Sequence, residues 1–340
     1  MNVDICQESA RWDSFLAQMP EANNYHRWGW KRAIEETYGH QGLYLMASSG
    51  ASVEGILPLF HIRSRVFGRF LTSMPFFSYG GVVSKTPEAR TSLLEKAIEL
   101  AKEFRALHIE LRQTEPCDID WHDSSPKVTM LVNLPATVDE LWKDLSSGMR
   151  NKIRYAEKHG LTADWVGVDS VDEFFAIFSE NMRNLGTPVY PKRWFENLCS
   201  SFPAETRFIV IRDCGEPVAA GLMTSFREGL ELPWSATTAQ SRKKYSAVFL
   251  YWSLLKWALE NGYRRVDFGR CTKGSGTYEF KTHWNCEEKP LHWYYWLAPG
   301  VALPHLRPDN PRYRLATRIW KQLPLPVANF LGPRIVRAIP

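Results

Sequence analysis

Long apolar runs are missing. No stretch of the chain approaches the ~18 consecutive apolar residues that carry a helix across a bilayer, so nothing in it reads as a membrane span. The opening stretch, Met1 to Phe15, is acidic and polar, without the basic and apolar regions of a secretory signal. Cysteine is scarce and scattered. Cys6, Cys117, Cys199, Cys214, Cys271 and Cys286 contain no C-x-x-C pair, which removes zinc-ribbon spacing and a disulfide framework. These absences together predict a cytoplasmic protein with reduced thiols. Excess charge is lacking too: the net charge of +5 is too small to argue for nucleic-acid binding unless cations cluster.

What is present is ordinary globular composition, with 44% hydrophobic and 23% charged residues, which argues against disorder. At 340 residues the chain is long for a single core, so two domains are expected. Fourteen tryptophans divide between two roles, core packing and the lining of sugar or peptide sites. Periodicity predicts an α/β order in each half. In the first, a short strand at 2–6 and helices at 11–19 and 26–38 precede strands at 43–47, 53–62 and 70–77. A helix at 87–104 and a strand at 108–111 follow. In the second, a strand at 163–168 and helices at 171–185 and 192–200 precede strands at 207–212, 218–226 and 230–236. A helix at 248–261 and a strand at 265–269 complete it. The two halves share one order, β-α-α-β-β-β-α-β, and Ser73-Met74-Pro75-Phe76 stands where Glu231-Leu232-Pro233-Trp234 stands later. This is the pattern of an internal duplication. The joint is expected between residues 136 and 137, with Thr137 as N-cap and Glu140 completing a capping box. The expected division is 1–136, 137–300 and a tail at 301–340.

The stretch Tyr263 to Trp284, YRRVDFGRCTKGSGTYEFKTHW, carries the densest chemistry. It begins as a strand, breaks at Gly269 and passes through a Gly-rich polar loop to Tyr278-Glu279-Phe280-Lys281. Charged groups gathered at a strand end are where open α/β sheets bind ligands; a solvated loop is the plainer alternative. Arg150, Arg154 and Lys158 recur every fourth residue and so share one helix face, suited to a phosphate-rich ligand or merely solvated. Arg242-Lys243-Lys244 precede a long helix whose N-terminus could meet phosphates.

Asp267-Phe268-Gly269-Arg270, Gly276-Thr277-Tyr278 and Phe280-Lys281 resemble the C-terminal block of the Fem family of aminoacyltransferases. Trp142 with Arg150-Asn151-Lys152-Ile153-Arg154-Tyr155 is similar to a second Fem block. Asn184-Leu185-Gly186-Thr187-Pro188 and Pro233-Trp234-Ser235 most resemble a Fem-like branch found beside exosortase and exopolysaccharide systems. The resemblance covers nearly the whole chain and is strongest from Trp142 to Leu297. It implies an α/β chain of two tandem GNAT-like domains, with mixed central sheets flanked by helices. It also implies an acyltransferase that forms an amide on an amino group of a peptidoglycan or exopolysaccharide precursor, without a tightly bound cofactor.

By that resemblance the donor cleft lies where two strands splay in the second half, bordered by Trp234, Ser235 and the strand at 265–269. Lys281 is the expected oxyanion donor, with Asp267 and Arg270 as further catalytic candidates and Tyr278 and Phe280 as substrate contacts. Asp267, Glu279 and His283 are each candidates for a general base, with structural roles as the alternative. Acetyl-CoA enzymes of this fold bind pyrophosphate in a Gly-rich turn, but here Tyr245 stands where glycine is wanted. Aminoacyl-tRNA is therefore the first expectation for the donor and acetyl-CoA, acylating an amino sugar, the second. A non-catalytic binding protein of the same fold is a third reading. Arg242, Lys243 and Lys244 suit the phosphates of either donor.

The tail changes composition. Acidic residues vanish after Asp309, while Arg312, Arg314, Arg318, Lys321, Arg334 and Arg337 accompany Tyr313, Trp320 and Phe330. A basic amphipathic helix at 313–322 is expected, followed by an apolar, Pro-punctuated segment. Such a tail either touches the inner face of an anionic membrane or packs as a strap across the body.

Overall fold

The computed structural model describes residues 1–65, 67–124, 127–303 and 311–339; at 311–314 only the backbone is described. The chain folds as two α/β units, each around its own mixed sheet.

The first unit opens with β1 (Asn2–Ile5), α1 (Ser9–Gln18) and α2 (Gly29–Tyr38). The antiparallel pair β2 (Gln41–Ser49) and β3 (Ser52–Ser64) follows, then β4 (Gly68–Thr72) and the short β5 (Val83–Ser84). Next come α3 (Pro87–Glu103), β6 (His108–Gln113) and β7 (His122–Asp123). α3 starts where Thr86 accepts a hydrogen bond from the Ala89 amide (3.2 Å) and Pro87 needs no donor. It buries Leu93, Ala97, Leu100 and Ala101 on the sheet. α2 ends where expected, at Gly39, which takes the left-handed conformation.

The second unit begins with β8 (Lys127–Asn133), α4 (Val138–Asp144), α5 (Ser147–Lys158) and β9 (Leu161–Val166). The helices α6 (Val171–Leu185) and α7 (Lys192–Ser201) precede the meander β10 (Thr206–Asp213), β11 (Glu216–Phe226) and β12 (Gly229–Thr237). α8 (Ser246–Glu260), β13 (Arg265–Thr272), α9 (Gly276–Thr282) and β14 (Glu287–Pro290) follow. α8 is apolar nearly all round and buries Leu250, Leu254, Leu255 and Ala258 at the core of the unit. Two helices close the chain, α10 (Pro311–Trp320) and α11 (Leu325–Val336), after β15 (His292–Leu297).

The duplication is visible in the ladders. β4 and β6 pair in parallel over three residues, and so do β12 and β13. The joint differs from expectation. β8 precedes residue 136 yet pairs antiparallel with β13 in the second sheet, while β15 returns to pair with β6 in the first. The second unit thus starts at Lys127, and residues 292–297 belong to the first. Chemistry explains that return. β15 reads His-Trp-Tyr-Tyr-Trp-Leu; its Trp293 ring covers the Arg112 guanidinium at 4.4 Å, and the Tyr294 hydroxyl accepts from the Cys117 amide at 3.0 Å.

One further expectation needs correction. The strand expected at 70–77 stops at Thr72 because Arg112 holds the next residues across the strand end, donating to the carbonyls of Met74 (2.8 Å) and Phe77 (2.5 Å). The apolar, Pro-punctuated last segment is helical. Pro326 sits in the first turn of α11, where no amide donor is needed, and Pro333 only in the last. The side chains of Arg312, Tyr313 and Arg314 lie outside those described.

Candidate functional site

β12 and β13 pair only from Gly229 to Glu231 against Arg265 to Asp267. Beyond that point each bulges. In β12 the register against β11 shifts across Leu232 and Pro233, and in β13 the register against β8 shifts across Phe268 and Gly269. Pro233 has no amide to give a ladder and Gly269 sits at φ +75°, so the sequence disposes both strands to break there. β12 then follows β11 while β13 follows β8, and the two part. A cleft of about 180 Å³ lies along the parted edge. Ser235, Ala236 and Thr237 of β12 form one wall, Ala247, Leu250 and Tyr251 of α8 another, with Asn181 of α6 and Phe280 of α9 closing it.

Trp234, expected at the border, points the other way. It is buried and packs edge-on against Tyr190, Trp194 and Phe195, because successive side chains of a strand alternate faces. Ser235, its neighbour, faces the cleft.

The second bulge is held by a small polar lock. Asp267, buried, accepts from the Thr129 hydroxyl (2.6 Å) and from the Gly269 amide (2.7 Å). Lys281, only 4% exposed, donates to the carbonyls of Gly269 (2.8 Å) and Arg270 (3.2 Å). Burial lowers the Lys281 pKa, with Cys271 and Asp267 nearby opposing. The ammonium is thus turned onto main-chain carbonyls, and the cleft wall is made by Phe280 rather than Lys281. Arg270 is half-buried on the outer part of β13. Burial raises both neighbouring thiols, Cys286 to about 12, which leaves them poor nucleophiles.

The loop expected around Gly276 is the helix α9. Ser275 caps it, accepting from the Tyr278 amide at 3.2 Å. Phe280 meets the Tyr251 ring edge-on at 5.0 Å. Tyr278 faces away, donating to Glu288, which also pairs with Lys273 at 2.7 Å. Tyr251 packs against Phe268 and Trp284, and burial lifts its phenol to about 12.

At the mouth, α8 begins without a side-chain cap. Tyr245 precedes it at φ +58°, the conformation for which glycine is favoured. Tyr245 is 38% exposed, and its ring lies 5.5 Å from that of Tyr155 (42% exposed) and 5.9 Å from the Lys152 ammonium. Tyr155 stacks on His159 at 3.8 Å. Of the three cations before α8, Arg242 donates to Asn181 (3.3 Å), Lys244 pairs with Asp213 (2.7 Å) and Lys243 is exposed. Along α5, Arg150 donates to the Lys143 carbonyl (3.3 Å) and Arg154 lies 5.2 Å over Trp142, so both lean toward α4; Lys158 is exposed.

The matching place in the first unit is plugged. Arg112, 1% exposed, binds Glu110 at 2.6 Å in addition to the Met74 and Phe77 carbonyls, and its counterpart in the second unit, counted from Glu110 and Asp267, is Gly269. Among the described residues no group of three His, Cys, Asp or Glu side chains could hold a metal ion. Sequence reasoning passed over Asn181, Thr237 and Tyr251. Asn181 had a legible signal, since it continues the apolar stripe of Phe174, Ile177 and Phe178 with a polar group.

Residues 144–282 match the acetyltransferase (GNAT) domain. No curated protein sequence matches the chain. Among solved structures, FemX superposes with a TM-score of 0.68 at 15% identity, covering 93% of this chain and 100% of that one. L-PGS from Bacillus licheniformis gives 0.59 at 12% identity, covering 95% and 100%. A tandem GNAT protein from the clavulanic acid biosynthesis pathway gives 0.57 at 11%, covering 87% and 98%. The domain match and the fold define the class: residues 144–282 are an acetyltransferase (GNAT) domain, and the fold of the whole chain is of the GNAT type. Within that class its architecture is the Fem-like one, two GNAT units in one chain.

Proposed function

We propose that the second unit transfers an aminoacyl group from the acceptor end of a tRNA to an amino group of a cell-envelope precursor. The observation that carries the choice of donor is Tyr245. A tyrosine held in the left-handed region costs about 1–2 kcal/mol, and Tyr245 belongs to no core cluster, being 38% exposed beside Tyr155. Strain retained for an exposed aromatic side chain points to a binding role. Exposed rings flanked by Lys152, Arg242 and Lys243 suit unpaired bases followed by phosphates, since stacking on protein aromatics contributes about 1–3 kcal/mol per base. The same tyrosine crowds the turn where the pyrophosphate of CoA approaches the backbone in acetyltransferases of this fold.

In this reading the acyl ester lies in the cleft along Ser235–Thr237. The acceptor amine, neutral, attacks the carbonyl carbon; the new C–N bond forms as the ester C–O bond breaks. The proton lost by nitrogen leaves with the ribose oxygen. Tyr251, kept protonated by burial, is the donor of a hydrogen bond to the developing oxyanion. Lys281 acts through the Gly269 and Arg270 carbonyls and is a positioning residue. An activated ester needs little more than orientation.

The test compares affinities of a charged minihelix RNA and of acetyl-CoA by fluorescence anisotropy and calorimetry. The RNA is expected to bind more tightly, and Tyr245→Ala is expected to weaken it by about tenfold, the loss of one stacked base. Preferred binding of acetyl-CoA, undisturbed by Tyr245→Ala, would select the acetyl-transfer reading instead.

A further inference from the structure

Exposed large apolar side chains are rare in this chain, and more than half of those described lie in its last two helices: Leu315, Ile319, Val327, Phe330, Leu331 and Ile335. Neither helix is a loose tail. Gly186, at φ +80° after α6, lies so close beneath Thr317 of α10 that a β-carbon there would meet its side chain and carbonyl. Gly332 of α11 likewise sits against the main chain of Val189, and Ala328, Gly332 and Val336 face the body of the unit. With one face of α11 seated, Val327, Phe330 and Leu331 are left pointing outward, and Phe330 is 62% exposed. Packing as a strap therefore accounts for the inner face only.

The charge within these two helices has one sign. No acidic residue occurs from Pro311 to the last residue, Pro340. Arg318 stands between Leu315 and Ile319, Lys321 follows one turn on, and the Arg334 guanidinium lies 3.8 Å over the Phe330 ring. Among the described residues no helix is long and apolar enough to cross a membrane. Apolar side chains that protrude from a seated helix pair, on helices that carry cations and no carboxylates of their own, match the interface of an anionic bilayer, with rings and aliphatics among the acyl chains and cations at the headgroups.

We propose that the outward face of α10 and α11 docks this protein on an anionic lipid surface. The seat of that face matters for the cleft. α6 lends Asn181 to the cleft wall and ends at Gly186 beneath α10, a separation of about 7.5 Å along the helix axis. Docking through α10 and α11 places headgroups close to the open edge of β12, where an amine carried on a lipid anchor would reach an acyl donor; that last consequence rests on the proposed transfer reaction, the docking itself does not.

The test is flotation of the full chain with vesicles of phosphatidylglycerol in phosphatidylcholine and with phosphatidylcholine alone. Binding to the anionic vesicles is expected, falling as salt is added. Charge reversal at Arg318 and Arg334 is expected to reduce partitioning roughly fivefold or more per cation, and Phe330→Ser with Leu331→Ser to abolish it. Leu315→Ser with Ile319→Ser provides an independent pair should the first fold poorly, and circular dichroism reports folding in each case. Sedimentation velocity on the same samples examines the other occupant of such a face, a second copy of the chain. Self-association that these serines abolish, without flotation of the wild type, would overturn the proposal. So would equal flotation with neutral vesicles, or flotation that survives both serine pairs.

Discussion

Replacing Lys281 by methionine keeps the side chain's reach and removes its charge and its donors. The structure lets the cost be worked out. Lys281 is 4% exposed and gives hydrogen bonds of 2.8 and 3.2 Å to the Gly269 and Arg270 carbonyls. Hydrogen bonds from a charged donor contribute about 1.5–3 kcal/mol each, so about 3–6 kcal/mol is lost. Against this, methionine has no ammonium to desolvate, a relief whose sign is fixed by the lowered Lys281 pKa. A net loss of about 2–3 kcal/mol is expected, read as a lower urea midpoint at unchanged slope. pH sharpens the test. Between the depressed folded pKa and the ordinary value of 10.5, the unfolded chain holds a proton on Lys281 that the folded chain lacks, so this residue's contribution to stability rises with pH through that window. The wild type minus variant difference should show that rise. A variant as stable as wild type at every pH would refute the lock. Turnover separates positioning from direct oxyanion contact. A positioning role predicts that a rate lost in Lys281→Met returns in good part with Lys281→Arg, whose donors can still reach the carbonyls.

Two other outcomes follow from the same structure. Gly269→Ala meets no atom within 4 Å of its new β-carbon, so its cost is torsional alone, about 1–2 kcal/mol at φ +75°, and Gly269→Asn should cost less; urea denaturation measures both. Burial holds His26, His40 and His61 neutral, each at about 4, and all three belong to the first unit. Unfolded, each takes a proton near 6.5, so stability is full above that value and falls as pH drops toward 4, by at most about 3 kcal/mol per histidine; hydrogen exchange at pH 5 against pH 7 should show amides of the first unit losing protection before those of the second.

Much of this was legible in the residues. The capping box of Thr137 and Glu140, the stop at Gly39 and the repeated order of elements all depend on local chemistry, and local chemistry is written in sequence. So was the break near Pro233, because a proline cannot complete a ladder. What lay beyond reach depends on partners far along the chain. The return of β15 to the first sheet brings Trp293 over Arg112, more than 170 residues earlier, and β8 pairs with β13 more than 130 residues later, partners that no periodicity announces. Lys281 was found for its motif, but its direction was not legible. Burial against the Gly269 bulge turns it from the cleft, and that bulge exists only once β8 pairs with β13. Trp234 and Ser235 differ by a single strand position, and a bulge at Leu232–Pro233 decides which of them faces the cleft. The aromatic pair of Tyr155 and Tyr245 joins two separate helix ends and shows only in three dimensions.

In the proposed reaction the acyl donor binds at the parted edge of β12 and β13. Ala247 lines that cleft from the first turn of α8 and is half-buried there, so phenylalanine at this position fills the cleft without entering the core. The direct measurement is equilibrium binding of a charged minihelix RNA to the wild type and to Ala247→Phe, with thermal midpoints recorded alongside. A loss of affinity of at least about tenfold, the cost of excluding one bound group, at an unchanged midpoint is the predicted result. Equal affinity in the two proteins would place the donor elsewhere and contradict the account.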